Sequence, residues 1–391
     1  MSIQPFTAQI PEASLEDVRE RLSRTRWPEA LPDARWGYGA DLDTVKEYAE
    51  YWRTTFDWRA IEAKFNAYEQ GVVEAGMPGA VERVHFVHAR SDHADATPLV
   101  ITHGWPGSVV EFLEIIEPLR NPTAHGGTAE DAYHVVCPHI PGYGFSGPTR
   151  RPGFHIDLAA AAIDDLMQQL GYGRYLAQGG DWGAVLTRRL AEAHAEHVIG
   201  AHFNMLFAFP DDMAAPDAWE GVTEKELAAF TKASTDIADG TGYSAIQGTK
   251  PQTLAFGMHD SPVALLAWQL EKFEAWSDAN VRDAYTKDQL LANVALYWFT
   301  ETAHSASRLY CESMRAGNYA ADPWSGQVDV PVGYCRYPGE MMQTPRVWAE
   351  KRYSDIVHWA EAPTGGHFAA FENPSFFVDD VRAFGRAVRA R

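Results

Sequence analysis

Gly179-Gly180-Asp181-Trp182-Gly183 places one carboxylate among small residues, where an apolar strand is predicted to end and a helix to begin. Small residues two before and two after the central position permit a sharp strand-to-helix elbow that holds a nucleophile clear of the chain. A Gly-rich turn whose aspartate only caps the helix is the plainer alternative. His103-Gly104-Trp105-Pro106-Gly107 ends another apolar strand. A loop of that kind supplies one backbone N–H to an oxyanion and the residue after the nucleophile supplies a second, so Trp105 and Trp182 become the expected donors. His103 itself is read as structural, and Pro106 as a candidate cis position. Gly365-Gly366-His367-Phe368 follows the last predicted strand, where a general base belongs in the chain order nucleophile, acid, base.

The acid that orients His367 should sit in a loop after an earlier strand. Glu340, in Tyr337-Pro338-Gly339-Glu340, does so; Asp329 and Asp355 each precede a strand instead. Together these types suit a two-step displacement. An aspartate that attacks carbon forms an ester whose carbonyl water can still attack, whereas a serine would leave an ether with no such exit. His367 would then activate the water, with no cofactor and no metal expected. The pairs His85/His88 and His194/His197 have spacings a metal could use, but the first straddles a strand and the second reads as a solvated helix.

These groups need a scaffold, and the texture of the chain supplies one. Residues 1–95 read as an N-terminal extension. Ser14 and Asp17 suit a helix-start capping pair ahead of Leu15, Val18 and Leu22, and a second helix runs from Leu42 with Val45, Tyr48, Trp52 and Phe56 on one side. The extension includes a first strand around Val84–Val87. From 96 to 205 strands alternate with helices (Pro98–Thr102, a helix from Val109, Tyr133–Cys137, Leu158–Leu170, Arg174–Gln178, a helix from Ala184, Val198–Phe203). That alternation builds a mostly parallel sheet with helices on both faces. The pattern breaks near Pro210, and 206–325 reads as a helical lid rich in Trp and Tyr. Residues 326–391 resume the sheet with Val330–Cys335 and Ile356–Glu361, then an amphipathic helix carrying Phe376, Phe377, Val381 and Phe384.

A chain of 391 residues with a net charge of −20 argues against nucleic acid or an anionic membrane as partner. Three scattered cysteines with no C-x-x-C fit a reducing cytoplasm. The N-terminus has no leader-like apolar run, and no stretch of 18 apolar residues appears, so no membrane span is expected.

The chain resembles the microsomal-type epoxide hydrolase family in its soluble bacterial form, within the α/β-hydrolase superfamily. The likeness runs through H-G-W-P-G-S, G-G-D-W-G, T-G-Y-x-x-I-Q, D-S-P-V-x-L-x-A-W, R-L-Y-x-E, P-G-E and G-G-H-F-A-A-F-E, which covers nearly the whole chain. The resemblance implies an α/β-hydrolase fold with Asp181 as nucleophile, His367 as base, Glu340 as relay acid, and two lid tyrosines at Tyr243 and Tyr310. Those phenols would hold the epoxide oxygen as the ring opens. Mammalian members carry a membrane anchor with no counterpart here, so a microsomal location is not expected. The implied partner is a small-molecule epoxide, bulky or aromatic to suit the lid, and a homodimer stays open. The alternative is a haloalkane or haloacetate dehalogenase with the same Asp-His chemistry, although Trp105 stands where many haloalkane dehalogenases place a halide-binding Asn.

Overall fold

In the computed structural model, which describes residues 2–317 and 326–391, nine strands join in one sheet. In chain order they are β1 (Gln4–Pro5), β2 (Glu69–Ala75), β3 (Glu82–Ala89), β4 (Thr97–Thr102), β5 (Tyr133–Pro138), β6 (Tyr175–Gly179), β7 (Val198–Phe203), β8 (Val332–Arg336) and β9 (Ile356–Glu361). Across the sheet they run β1-β2-β3-β5-β4-β6-β7-β8-β9. The pairs from β1 to β3, and β3 with β5, are antiparallel; every pair from β5 through β9 is parallel. Strands buried on both faces should be apolar at consecutive positions, and Leu99, Val100 and Ile101 of β4 are all buried.

Parallel neighbours need crossovers, and helices provide them. Ile156–Gln169 leads from β5 toward β6, and Trp182–Ala193 from β6 to β7; these two pack on each other. The last helix, Pro374–Arg389, packs against β7 and β9 and buries Phe377, Val381 and Phe384. From β4 the chain moves to β5 on one side, then returns past it to β6 on the other. The ends of β4 and β6 therefore flank the point where strand order reverses, the place where open α/β sheets bind ligands.

Between β7 and β8 the described residues hold seven helices and no strand: Glu224–Ala238, Gly242–Thr249, Pro251–Asp260, Pro262–Trp276, Val281–Ala284, Lys287–Phe299 and Ala303–Arg315. The helical region expected from 206 begins only at Glu224, where Thr223 and Glu226 form a capping box; its expected end, 318–325, lies outside the described residues. The N-terminal helix Leu42–Thr54 buries Val45, Tyr48 and Trp52 and packs against Pro262–Trp276. No helix among the described residues is long and apolar enough to cross a membrane.

Several local expectations are corrected. Ser14 and Asp17 do not cap a helix: the first helix already starts at Glu12 after Pro11, and Asp17 pairs with Arg21 one turn on, at 2.8 Å. The helix expected from Val109 is a short 3-10 turn, Val109–Phe112, followed by a separate helix, Ile116–Arg120, which Pro122 does not extend because it has no N–H to bond back to the Pro118 carbonyl. His194 and His197 lie beyond the end of helix Trp182–Ala193, where His194 is the cap, and not on a solvated helix face.

Candidate active site

Asp181 sits between the end of β6 and the first helical residue, Trp182, with φ 51° and ψ −128°. A non-glycine residue at positive φ is strained, and such strain collects at functional positions. The neighbours permit the conformation. A Cβ on Gly183 would run into the Thr102 carbonyl at the end of β4, so only glycine lets the new helix start against that strand. Three residues beyond Thr102, the Trp105 N–H donates to Asp181 Oδ1 at 2.8 Å. The Trp105–Pro106 peptide bond is cis. Trp182 opens the following helix, where backbone N–H groups lack intrahelical acceptors.

The other half of the site comes from the ends of β8 and β9. Gly339 and Gly366 form a parallel bridge beyond these strands, and the Gly339 N–H donates to the Gly365 carbonyl at 3.0 Å. That juxtaposition places Glu340 beside His367. His367 Nδ1 lies 3.0 and 3.1 Å from the two Glu340 carboxylate oxygens, and its Nε2 lies 3.4 Å from Asp181 Oδ2. Burial works to lower the His367 pKa, but the Glu340 charge, the hydrogen bonds to both carboxylates and the Asp181 charge outweigh it and hold it well above the usual value. The two flanking carboxylates thus favour the imidazolium form of His367. Asp329 instead accepts from Ser354, and Asp355 pairs with Arg391; neither approaches His367.

The helical insertion is tied directly to the segment that carries His367. The His367 N–H donates to the Trp276 carbonyl at 2.9 Å, and Gly365 N–H to Asp278 at 3.0 Å. A Cβ on Gly366 would come within 2.6 Å of that Trp276 oxygen, so a side chain there would push the insertion away. Glu372 accepts from the Phe368 and Asp278 N–H groups at 3.1 and 2.9 Å; its burial raises its pKa to about 7.

Tyr243 and Tyr310, from two helices of the insertion, meet the two tryptophans. The Tyr243 ring stacks on Trp105 with centroids 4.9 Å apart, Tyr310 stands edge-on to Trp182 at 4.8 Å, and the two tyrosine rings lie 6.0 Å from each other. All the residues singled out from the sequence, Asp181, His367, Glu340, Trp105, Trp182, Tyr243 and Tyr310, thus fall in one cluster.

Two features escaped the sequence reading. Glu111 is buried, and with Asp181, His367, Gln178 and Asn204 it lines a recess of about 20 Å³, room for a single water. Burial pushes its carboxyl up to about 8 and so favours its neutral form. Its spacing from Ser108 matches a capping box, which does form and which hid any second role. Lys272, buried on helix Pro262–Trp276, is the second. Among the histidines set aside for metals, His85 bonds His139 and Gln70, and His88 bonds Tyr172. His194 and His197 share the Asp164 carboxylate, and His202 and His358 share that of Asp380. Each set is a hydrogen-bonded cross-link. His103, which burial pushes down to about 4, donates from Nδ1 to the Gly104 carbonyl and accepts the Ile140 N–H at Nε2.

A mostly parallel sheet with an elbow at its switch point, a loop after β4 whose Trp105 N–H reaches the elbow residue, and a histidine after the last strand define an α/β-hydrolase. The comparisons narrow the class. Residues 3–112 match the family "Epoxide hydrolase N terminus", and residues 97–233 match "alpha/beta hydrolase fold". Epoxide hydrolase 1 of Sus scrofa is 34% identical over 405 residues, an alignment spanning 98% of this chain and 88% of that protein. The crystal structure of juvenile hormone epoxide hydrolase from the silkworm Bombyx mori superposes with a TM-score of 0.88 at 30% identity, covering 100% of this chain and 95% of that one. Aspergillus niger epoxide hydrolase gives 0.85 at 29% identity, covering 99% and 97%. The chain belongs to the epoxide hydrolase family of the α/β-hydrolase superfamily, and the dehalogenase alternative is not favoured.

Proposed function

We propose that the protein converts a small-molecule epoxide and water to a vicinal diol through an ester on Asp181. The observation that carries this reading is an aspartate in the elbow, facing an imidazole that a second carboxylate backs. Trp105 N–H holds Oδ1, which leaves Oδ2 to attack a ring carbon while Tyr243 and Tyr310 donate to the epoxide oxygen. Ester formation removes the Asp181 charge, one of the influences that keep His367 protonated, and so frees the imidazole to act as a base.

In the second step His367 takes a proton from water, and the water oxygen adds to the ester carbonyl. The oxyanion forms at Oδ1, where the Trp105 and Trp182 N–H groups stabilise it; one such donor contributes about 3–4 kcal/mol to the barrier reduction. The imidazolium proton that His367 gives up after ester formation restores the phenol. When the tetrahedral adduct collapses the ester C–O bond breaks, the proton of the new carboxyl passes to the departing alkoxide, and Asp181 and the newly protonated His367 return to their resting forms. The aromatic wall of Trp105, Tyr243, Trp276 and Tyr310 favours a bulky or aromatic epoxide. Incubating the purified protein with styrene oxide and larger epoxides, with chiral analysis of products, tests the reading. Diol formation that Asp181→Asn abolishes is expected; halide release from a haloalkane with no diol from any epoxide would overturn it.

A further inference from the structure

Lys272 is a buried cation beside the site, only 4% exposed on helix Pro262–Trp276 among Gln269, Leu270, Phe273 and Trp276. A charge in such a place needs partners. Its ammonium donates to the Gly240 carbonyl at 3.0 Å, just past the end of helix Glu224–Ala238, and lies 2.7 Å from the more exposed Glu271. Two aromatic rings also lie close to it. The Nζ stands 4.7 Å from the centroid of Tyr243 and 5.4 Å from that of Trp276. Tyr243 in turn lies flat on Trp105, so its ring is held between a cation and an indole.

We infer that Lys272 is a positioning residue for ring opening, whose ammonium acts through the Tyr243 ring to make that phenol a better proton donor to the epoxide oxygen. The inference rests on Tyr243 being one of the acids. As the proton leaves Tyr243 for the epoxide oxygen, the C–O bond breaks, the bond from Asp181 Oδ2 to carbon forms, and negative charge grows on the phenol. A cation over the ring face is attracted to that charge more strongly than to the neutral phenol, so it lowers the barrier selectively. The hydrolytic half-reaction does not use Tyr243 as an acid toward the epoxide and gains nothing from Lys272.

The test is a rapid-mixing measurement of ester formation and ester hydrolysis with styrene oxide. Lys272→Met removes the charge and keeps the apolar stem; Lys272→Gln also keeps a donor for the Gly240 carbonyl. Both should slow ester formation about 10- to 30-fold, the range of a desolvated cation–π contact, and leave hydrolysis of the formed ester within about 2-fold. Lys272→Arg, which restores a cation, should recover most of the rate. In the Tyr243→Phe background, Lys272→Gln should add no further loss, because the two act as one unit. Ester formation at the parental rate in both neutral variants, or losses that multiply in the double variant, would overturn the inference. If Tyr243→Phe alone leaves ester formation unchanged, the assignment of Tyr243 fails first, which separates that outcome from failure of Lys272.

Discussion

Tyr243 lies flat against Trp105, ring planes 9° apart, while the backbone N–H of the same tryptophan holds Asp181 Oδ1 at 2.8 Å. One residue thus seats the proposed proton donor on its side chain and the proposed nucleophile on its main chain. Displacing either would move the other, so the geometry of attack and of protonation is shared.

Tyr243→Phe and Tyr310→Phe test the protonation half. Each should slow ester formation roughly 10- to 1000-fold, the scale of one lost acid or oxyanion donor. The double variant should lose ring opening nearly completely and keep its fold, since two hydroxyls contribute little apolar packing. Pre-steady-state ester formation measures this, and an unchanged rate in the double variant would remove both phenols from the mechanism.

His367→Gln should separate the steps. Alkylation continues, hydrolysis stops, and intact mass should show an adduct of substrate mass on Asp181. Glu340→Gln removes the charge 3.0 Å from Nδ1 and should slow hydrolysis more than alkylation. Parental turnover in His367→Gln would assign the base elsewhere.

The switch in His367 is open to direct titration. A negative Asp181 favours imidazolium, so Asp181→Asn should lower the His367 pKa, the same change that the proposed ester would bring. Proton-detected NMR of the imidazole in parent and variant reads the shift. An equal or higher pKa in the variant would contradict the base-release step.

Glu111 has a consequence for stability. Its carboxyl moves from the ordinary 4.5 to about 8 on burial, so between those values the folded state holds one proton more than the unfolded chain. The stabilising contribution is complete below about 4.5 and is lost as pH rises through about 8. Glu111→Gln, which stays neutral, should lose less thermal stability than the parent between pH 6 and pH 9. Identical pH slopes would mean that Glu111 is already charged in the folded protein.

What was legible in the chain follows its physics. The elbow announces itself because only small residues fit where Gly183 meets the Thr102 carbonyl, and β4 because Leu99-Val100-Ile101 is buried on both faces. By contrast β2 begins Glu69-Gln70-Gly71 and showed no apolar alternation at its start, and the two-residue β1 has no pattern at all. Tyr243 and Tyr310 are nameable by family likeness, since aromatic residues in an insertion look like packing until the ring contacts are seen. Glu111 and Lys272 carry no motif that marks them in the sequence. In both cases the burial that gives the group its chemistry comes from residues far away in sequence.

The central claim is a covalent ester on Asp181. With enzyme in excess over an epoxide in heavy-oxygen water, a single turnover should place the label in the Asp181 carboxylate, because water attacks the ester carbonyl and not the epoxide. Peptide mass spectrometry after digestion locates it. Label found in the diol, with none in the protein, would contradict the two-step mechanism outright.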